Sequence, residues 1–346
     1  MKIYRDLIIC SIFLLAGMLR AQISPVQVFS IDNANSKHPT MIVTNMDRVF
    51  AADPNEEQEH HLATLKKAIV DKTVPDSDVY ALCDSWFASW KVPGLDHINL
   101  QPVEELMKQN RAPYFCPLVE GRYYIESAWG WRGNDYADKV HVIEWKMFAS
   151  KLQQAEESLN QAWALDSKQP MIANEMLCVE LGQGKGRDQM ELWFQRAMNL
   201  DTNNYCACER KLLYLEPKWY GSRSELTRFG RECLESTNWG GKVPLIVVDA
   251  HRAIVNYLPA NMRSAYWQQA DVWDDVRSAF QKYLRENPKD SKEHQRYAAF
   301  AYAALRWDDL NDQLPFEGKI EYNLFGGPVG YQKMIIAAKQ HAQPRK

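Results

Sequence analysis

Gln161-Ala-Trp-Ala-Leu-Asp166 and Arg196-Ala-Met-Asn-Leu-Asp201 repeat Ala, Leu and Asp at an offset of 35 residues. That spacing is close to the period of about 34 residues found in tetratricopeptide-type helix pairs. The first segment closes a long amphipathic stretch, His141–Leu165, which places Trp145, Phe148, Leu152, Ala155, Leu159 and Ala162 on one helical face. Asp166-Ser-Lys-Gln-Pro170 ends it, and a second helix is expected from Pro170 to Gly182. The loop Gly182-Gln-Gly-Lys-Gly186 then leads to Asp188 and Glu191, spaced as a capping pair for a third helix carrying Leu192, Phe194, Ala197 and Leu200. A single helix pair cannot bury its apolar face, so neighbouring pairs must stack. The expected fold is all-α: a degenerate tetratricopeptide-like helix-hairpin array, or α-solenoid.

The same habit extends in both directions. Trp273, Val276, Phe280, Tyr283 and Leu284 form an apolar stripe ended by Asn287-Pro288, and Asp290 with Glu293 caps a further helix through Ala298, Ala301, Tyr302 and Leu305. Pro244–Leu258 contains Leu-Ile-Val-Val and could be a strand. Pro244 as a first-turn residue, followed by Ala250, Ala253 and Ile254, favours helix. Toward the N-terminus, Asp53-Pro54-Asn55-Glu56 reads as a helix start with Asp53 as the cap. Further helices are expected around 78–90 and 102–110. Residues 111–140 look less regular and hold an aromatic cluster of Tyr123, Tyr124, Trp129, Trp131 and Tyr136.

The N-terminus is organised differently. Lys2 and Arg5 precede the uncharged run Leu7–Leu19, which is shorter than the roughly 20 residues of a membrane-spanning helix. Leu19 and Ala21 offer a cleavage site, so 1–21 reads as a secretory signal peptide, leaving no stable membrane span once removed. Export to a bacterial periplasm or the exterior is the expectation. Residues 22–50 form a polar leader, 51–139 an N-terminal helical region with the aromatic cluster, and 140–346 the helical-repeat region. The 346 residues carry 41 Lys+Arg against 44 Asp+Glu, a net charge of −3, which excludes a generally basic nucleic-acid-binding surface.

Ala128-Trp129-Gly130-Trp131-Arg132-Gly133, followed by the stripe from Trp145 to Ala162, and the later Pro217-Lys218-Trp219-Tyr220-Gly221-Ser222 with Leu212, Leu213 and Phe229, carry a family resemblance. Over roughly residues 50–300 the chain resembles the bacterial domain-of-unknown-function 4034 family, with its Ala-Trp-x-x-Arg-Gly and Pro-Arg/Lys-Trp-Gly-Gly-Ser motifs. Tyr220 stands where that pattern has Gly. The resemblance implies an exported helical-repeat protein and brings no catalytic residues with it.

Candidate sites follow from these motifs. Trp129, Trp131 and Arg132 can stack on a ligand or hold a carboxylate bidentately, or else brace the core. Lys218 and Trp219 could form a ligand platform, although Pro217, Gly221 and the Ser222/Glu225 capping box already explain a helix–helix corner. Glu56, Glu57, Glu59, His60 and His61 lack a metal-binding spacing, and Asp249 and His251, two apart, do not face each other on a helix. No catalytic residue, cofactor or metal is assigned. The six cysteines beyond the signal allow many pairings, and buried thiols serve as well. Should a bridge form, folding Cys206-x-Cys208 back across the turn near 217–222 brings Cys208 toward Cys233. These features point to a non-enzymatic module that binds a protein, peptide or envelope component through an aromatic groove. The alternative is an envelope hydrolase using Glu126 or Glu144 beside Trp129–Arg132.

Overall fold

The computed structural model describes residues 55–90, 98–133 and 137–342. The signal run, the polar leader, Asp53, Pro54 and Tyr136 lie outside these residues. Among the described residues there are 15 α-helices and no strand. No described helix is long and apolar enough to cross a membrane. The helices gather into two compact units that divide between Leu200 and Asp201.

The first unit contains α1 (Glu56–Val70), α2 (Asp76–Ser89), α3 (Gln101–Asn110), α4 (Phe115–Arg132), α5 (Val142–Leu165), α6 (Pro170–Gln183) and α7 (Arg187–Leu200). Sequential neighbours α1/α2, α4/α5, α5/α6 and α6/α7 pack together, the arrangement of a hairpin array. The boundary expected near 139–140 falls between α4 and α5, which pack along each other within this unit.

Three local expectations change. The cap of α1 is Asn55: its side chain accepts the Gln58 N–H at 2.9 Å while Gln58 Oε1 accepts the Asn55 N–H at 2.8 Å. Asp188 lies inside the first turn of α7, because the Gly186 carbonyl already accepts the Met190 N–H. Most of all, the irregular stretch 111–140 contains α4. This helix buries Phe115, Leu118, Val119, Tyr123, Ile125 and Ala128 around most of its circumference. A helix covered on nearly all sides has no amphipathic stripe, so its period does not show. Gly121 lets α5 approach, since a methyl group there would stand 2.5 Å from Leu159 Cγ.

The second unit contains α8 (Tyr205–Tyr214), α9 (Arg223–Glu235), α10 (Ile246–Asn256), α11 (Ala260–Trp267), α12 (Ala270–Glu286), α13 (Ser291–Ala303), α14 (Trp307–Gln313) and α15 (Pro328–Gln340). The ambiguous Leu-Ile-Val-Val segment is helical: a 3-10 turn at Val243–Leu245 runs straight into α10, and Ile246, Val247, Val248 and Ala250 are fully buried. The α12 stripe is buried as read, and Asp290 caps α13 by accepting the Glu293 N–H. Val276, Phe280, Ala298, Ala301, Leu310 and Met334 form the core, in which Phe280 and Tyr297 stack at 4.9 Å.

Candidate functional site

The Ala128–Gly133 motif is the last turn of α4. Gly133 ends it at φ +65°, a left-handed conformation that favours glycine, and its N–H donates to the Trp129 carbonyl at 3.0 Å. The Trp129 ring meets Phe148 edge-on at 5.0 Å, filling the seam between α4 and α5. Trp131 is half-buried. Arg132 reaches across to α5, its guanidinium 5.7 Å from the centre of the Trp145 ring. The motif therefore splits: Trp129, itself half-buried, packs against the core at this seam, whereas Arg132 lies over the exposed Trp145.

Trp145 belongs to an outer face and not wholly to the buried stripe, being 36% exposed. The apolar register of α5 becomes fully buried only from Phe148 onward. In the first turn Val142 and Ile143 are 72% and 60% exposed. The two carboxylates weighed for hydrolysis have other duties. Glu144 accepts the His141 N–H at 2.7 Å and closes the start of α5. Glu126 is ion-paired to Arg122.

Arg122 is the centre of a buried ionic cluster that no motif announced. Its Nε donates to Asp84 Oδ1 at 2.6 Å, its Nη1 to Glu175 Oε2 at 3.4 Å, and its Nη2 to Glu126. Burial opposes the charge on Arg122, yet the carboxylates of Asp84, Glu126 and Glu175 hold its pKa well above the usual value. Asp84, Arg122 and Glu175 come from α2, α4 and α6, so only the packing of those helices brings them together. The role this geometry supports is registration of three helices.

In the second unit, Pro217–Ser222 forms the corner between α8 and α9. Ser222 caps α9 by accepting the Glu225 N–H at 3.3 Å. A methyl group on Gly221 would lie 2.3 Å from the Leu215 carbonyl oxygen, so this close turn requires glycine. Tyr220 is accommodated by packing on Tyr214 at 4.6 Å. Lys218 is exposed and pairs with Glu216 at 3.2 Å, and the Trp219 N–H donates to the Glu216 carbonyl at 2.9 Å. Lys218 and Trp219 thus take part in a structural corner. Cys208 of α8 and Cys233 of α9 meet as thiols in hydrogen-bond contact, and both are fully buried.

Asp249 and His251 separate into different networks, as their spacing implies. Asp249 accepts from Tyr205 and Arg296. His251 is buried between the Tyr266 hydroxyl at Nδ1 (2.7 Å) and Asp275 at Nε2 (3.1 Å), and Arg231 Nε donates to the same Asp275 oxygen at 2.8 Å. Burial would raise the Asp275 pKa, but the hydrogen bonds from His251 and Arg231 hold it below the ordinary value. This four-residue chain, drawn from α9 to α12, was not legible in the sequence because its members lie on separate helices. Elsewhere, His60 and His61 are 6.4 Å apart and His61 Nδ1 bonds to the Ser85 carbonyl. Among the described residues no group of three His, Cys, Asp or Glu side chains is placed to hold a metal.

No family model matches this chain, and neither curated proteins nor solved structures provide a match.

Proposed function

We propose that this chain is an exported, non-enzymatic binding protein that takes an apolar peptide segment bearing a carboxylate at the corner between the end of α4 and the start of α5. The observation that carries this reading is the exposure of Val142 and Ile143 beside the Arg132–Trp145 pair. Contiguous exposed apolar side chains on a folded protein mark interaction surfaces. Arg132, over the Trp145 indole and donating through Nη1 to the Gly133 carbonyl at 3.1 Å, brings a cation to the edge of this surface, and a carboxylate is its complement. Export is supported by the sequence of residues 1–21.

Selection from a displayed random-peptide library tests the site. The selected peptides are expected to be apolar with an acidic residue. Ile143→Asp and Arg132→Ala should each weaken binding about tenfold or more while the melting temperature stays unchanged. Unaltered affinity in the Ile143→Asp protein would overturn the assignment. For export, the expected result is a periplasmic or extracellular product beginning at Gln22. A cytoplasmic product retaining Met1 would overturn it.

A further inference from the structure

Helices α8 and α9 run antiparallel through the Pro217–Ser222 corner, and two contacts fix their register. Lys211 of α8 places its ammonium 4.6 Å from the ring centre of Phe229 on α9. One turn farther from the corner on each helix, the thiols of Cys208 and Cys233 touch. The same antiparallel register thus accounts for both pairs, and Gly221 keeps the corner tight enough to hold it. Two cysteines of the first unit are arranged differently: Cys83 is fully buried in α2, and Cys116 donates to Glu120 in its own helix.

We propose that Cys208 and Cys233 close as an intramolecular disulfide when the chain folds in the presence of a disulfide oxidant, making the α8–α9 hairpin a covalently closed unit. The chemistry is thiol–disulfide exchange. One cysteine thiolate attacks the oxidant's disulfide and releases one small thiol. The second cysteine then attacks the mixed disulfide and releases the other. Two protein thiols have lost two electrons and two protons, the S–S bond has formed, and one glutathione disulfide has become two glutathione molecules. Burial pushes the Cys233 thiol far above its ordinary pKa, so exchange belongs to the folding stage, before α8 and α9 exclude the oxidant. This inference is independent of the peptide-binding corner, which lies in the other unit.

The test is refolding of the full chain in a glutathione redox couple, followed by alkylation, digestion at Lys and Arg, and mass mapping without reductant. The expected product joins the peptide ending at Arg210 to the one beginning at Glu232. Cys206 and Cys208 share the former peptide, so the Cys206→Ala variant should keep the cross-link and Cys208→Ala should lose it. Because the bridge closes a loop of about 25 residues, reducing it should lower the melting temperature by about 5–10 °C. Wild-type protein refolded in the couple with Cys208 and Cys233 both alkylated, or bridged to other cysteines, would overturn the proposal. Mapping the wild-type chain decides the matter even if a variant fails to fold.

Discussion

Gly230 of α9 lies so close to α10 that a methyl group on it would stand 2.8 Å from the Cα of Val247 and 3.0 Å from the Ala250 methyl. The obstacle is partly backbone, which cannot rotate away as a side chain can. Both helices are committed at this crossing, since Leu226, Phe229 and Cys233 are buried on one and Val247, Ala250 and Ile254 on the other.

Gly230→Ala is therefore expected to destabilise the protein by about 2 kcal/mol, although alanine is the better helix former by up to about 1 kcal/mol. Urea unfolding of the variant measures this directly. A midpoint equal to or above the parent's would show that α9 and α10 are not packed this closely.

Arg122→Met removes the guanidinium that pairs with Asp84 and Glu175, both more than nine-tenths buried. The expected cost is about 3–5 kcal/mol at neutral pH, because buried carboxylates lose their compensating charge. The penalty should shrink as the medium is acidified and the carboxylates take up protons. Denaturant curves of both proteins at neutral and acid pH check this, and a loss independent of pH would contradict the ionic account.

Asp275 should leave a mark on the acid limb of stability. Its folded pKa is held below the ordinary value of 3.8. A depressed carboxylate pKa contributes stability that is present above the unfolded value and disappears as pH falls through the folded one. Asp275→Asn should be less stable than the parent at neutral pH, and the difference should narrow below about pH 4. A gap of constant size across that range would remove Asp275 from the list of acid-sensitive groups.

The alkaline limb belongs to the tyrosines. Burial, followed by the nearby Asp271 and Asp275 carboxylates, pushes the Tyr266 hydroxyl to about 12, while burial and Asp249 push Tyr205 well above its usual value. Groups with raised folded pKa values stabilise fully below the unfolded value of 10 and lose that contribution as pH rises through the folded one. Stability should fall from about pH 10 upward, with tyrosinate absorbance rising together with unfolding. Full tyrosine ionisation at pH 10.5 in a protein that remains folded would contradict these environments.

The all-α character and most helix positions were legible because they depend on neighbours in sequence. The stripe of α5 from Phe148 onward, the stripe of α12, the Asp290 cap and the Ser222 cap are local patterns, and each occurs where its residues indicate. Reading failed at α4 for a physical reason: residues such as Cys116, Gly121, Arg122 and Ser127 are buried there beside the apolar ones. Polar residues on a covered helix look irregular until their partners on other helices are known. The candidate site divides along the same line. Gly221 was recognisable as a turn former, but nothing near Trp129 or Arg132 in sequence tells which ring enters the seam and which cation faces outward.

What the sequence by itself determined is therefore the helical hairpin, since capping, turn glycines and apolar spacing act over a few residues. Tertiary structure alone decided which polar side chains meet across helices: Arg122 with Asp84 and Glu175, His251 with Tyr266 and Asp275. Those meetings depend on crossing geometry and register, which arise from the whole packed set and leave no period in the chain.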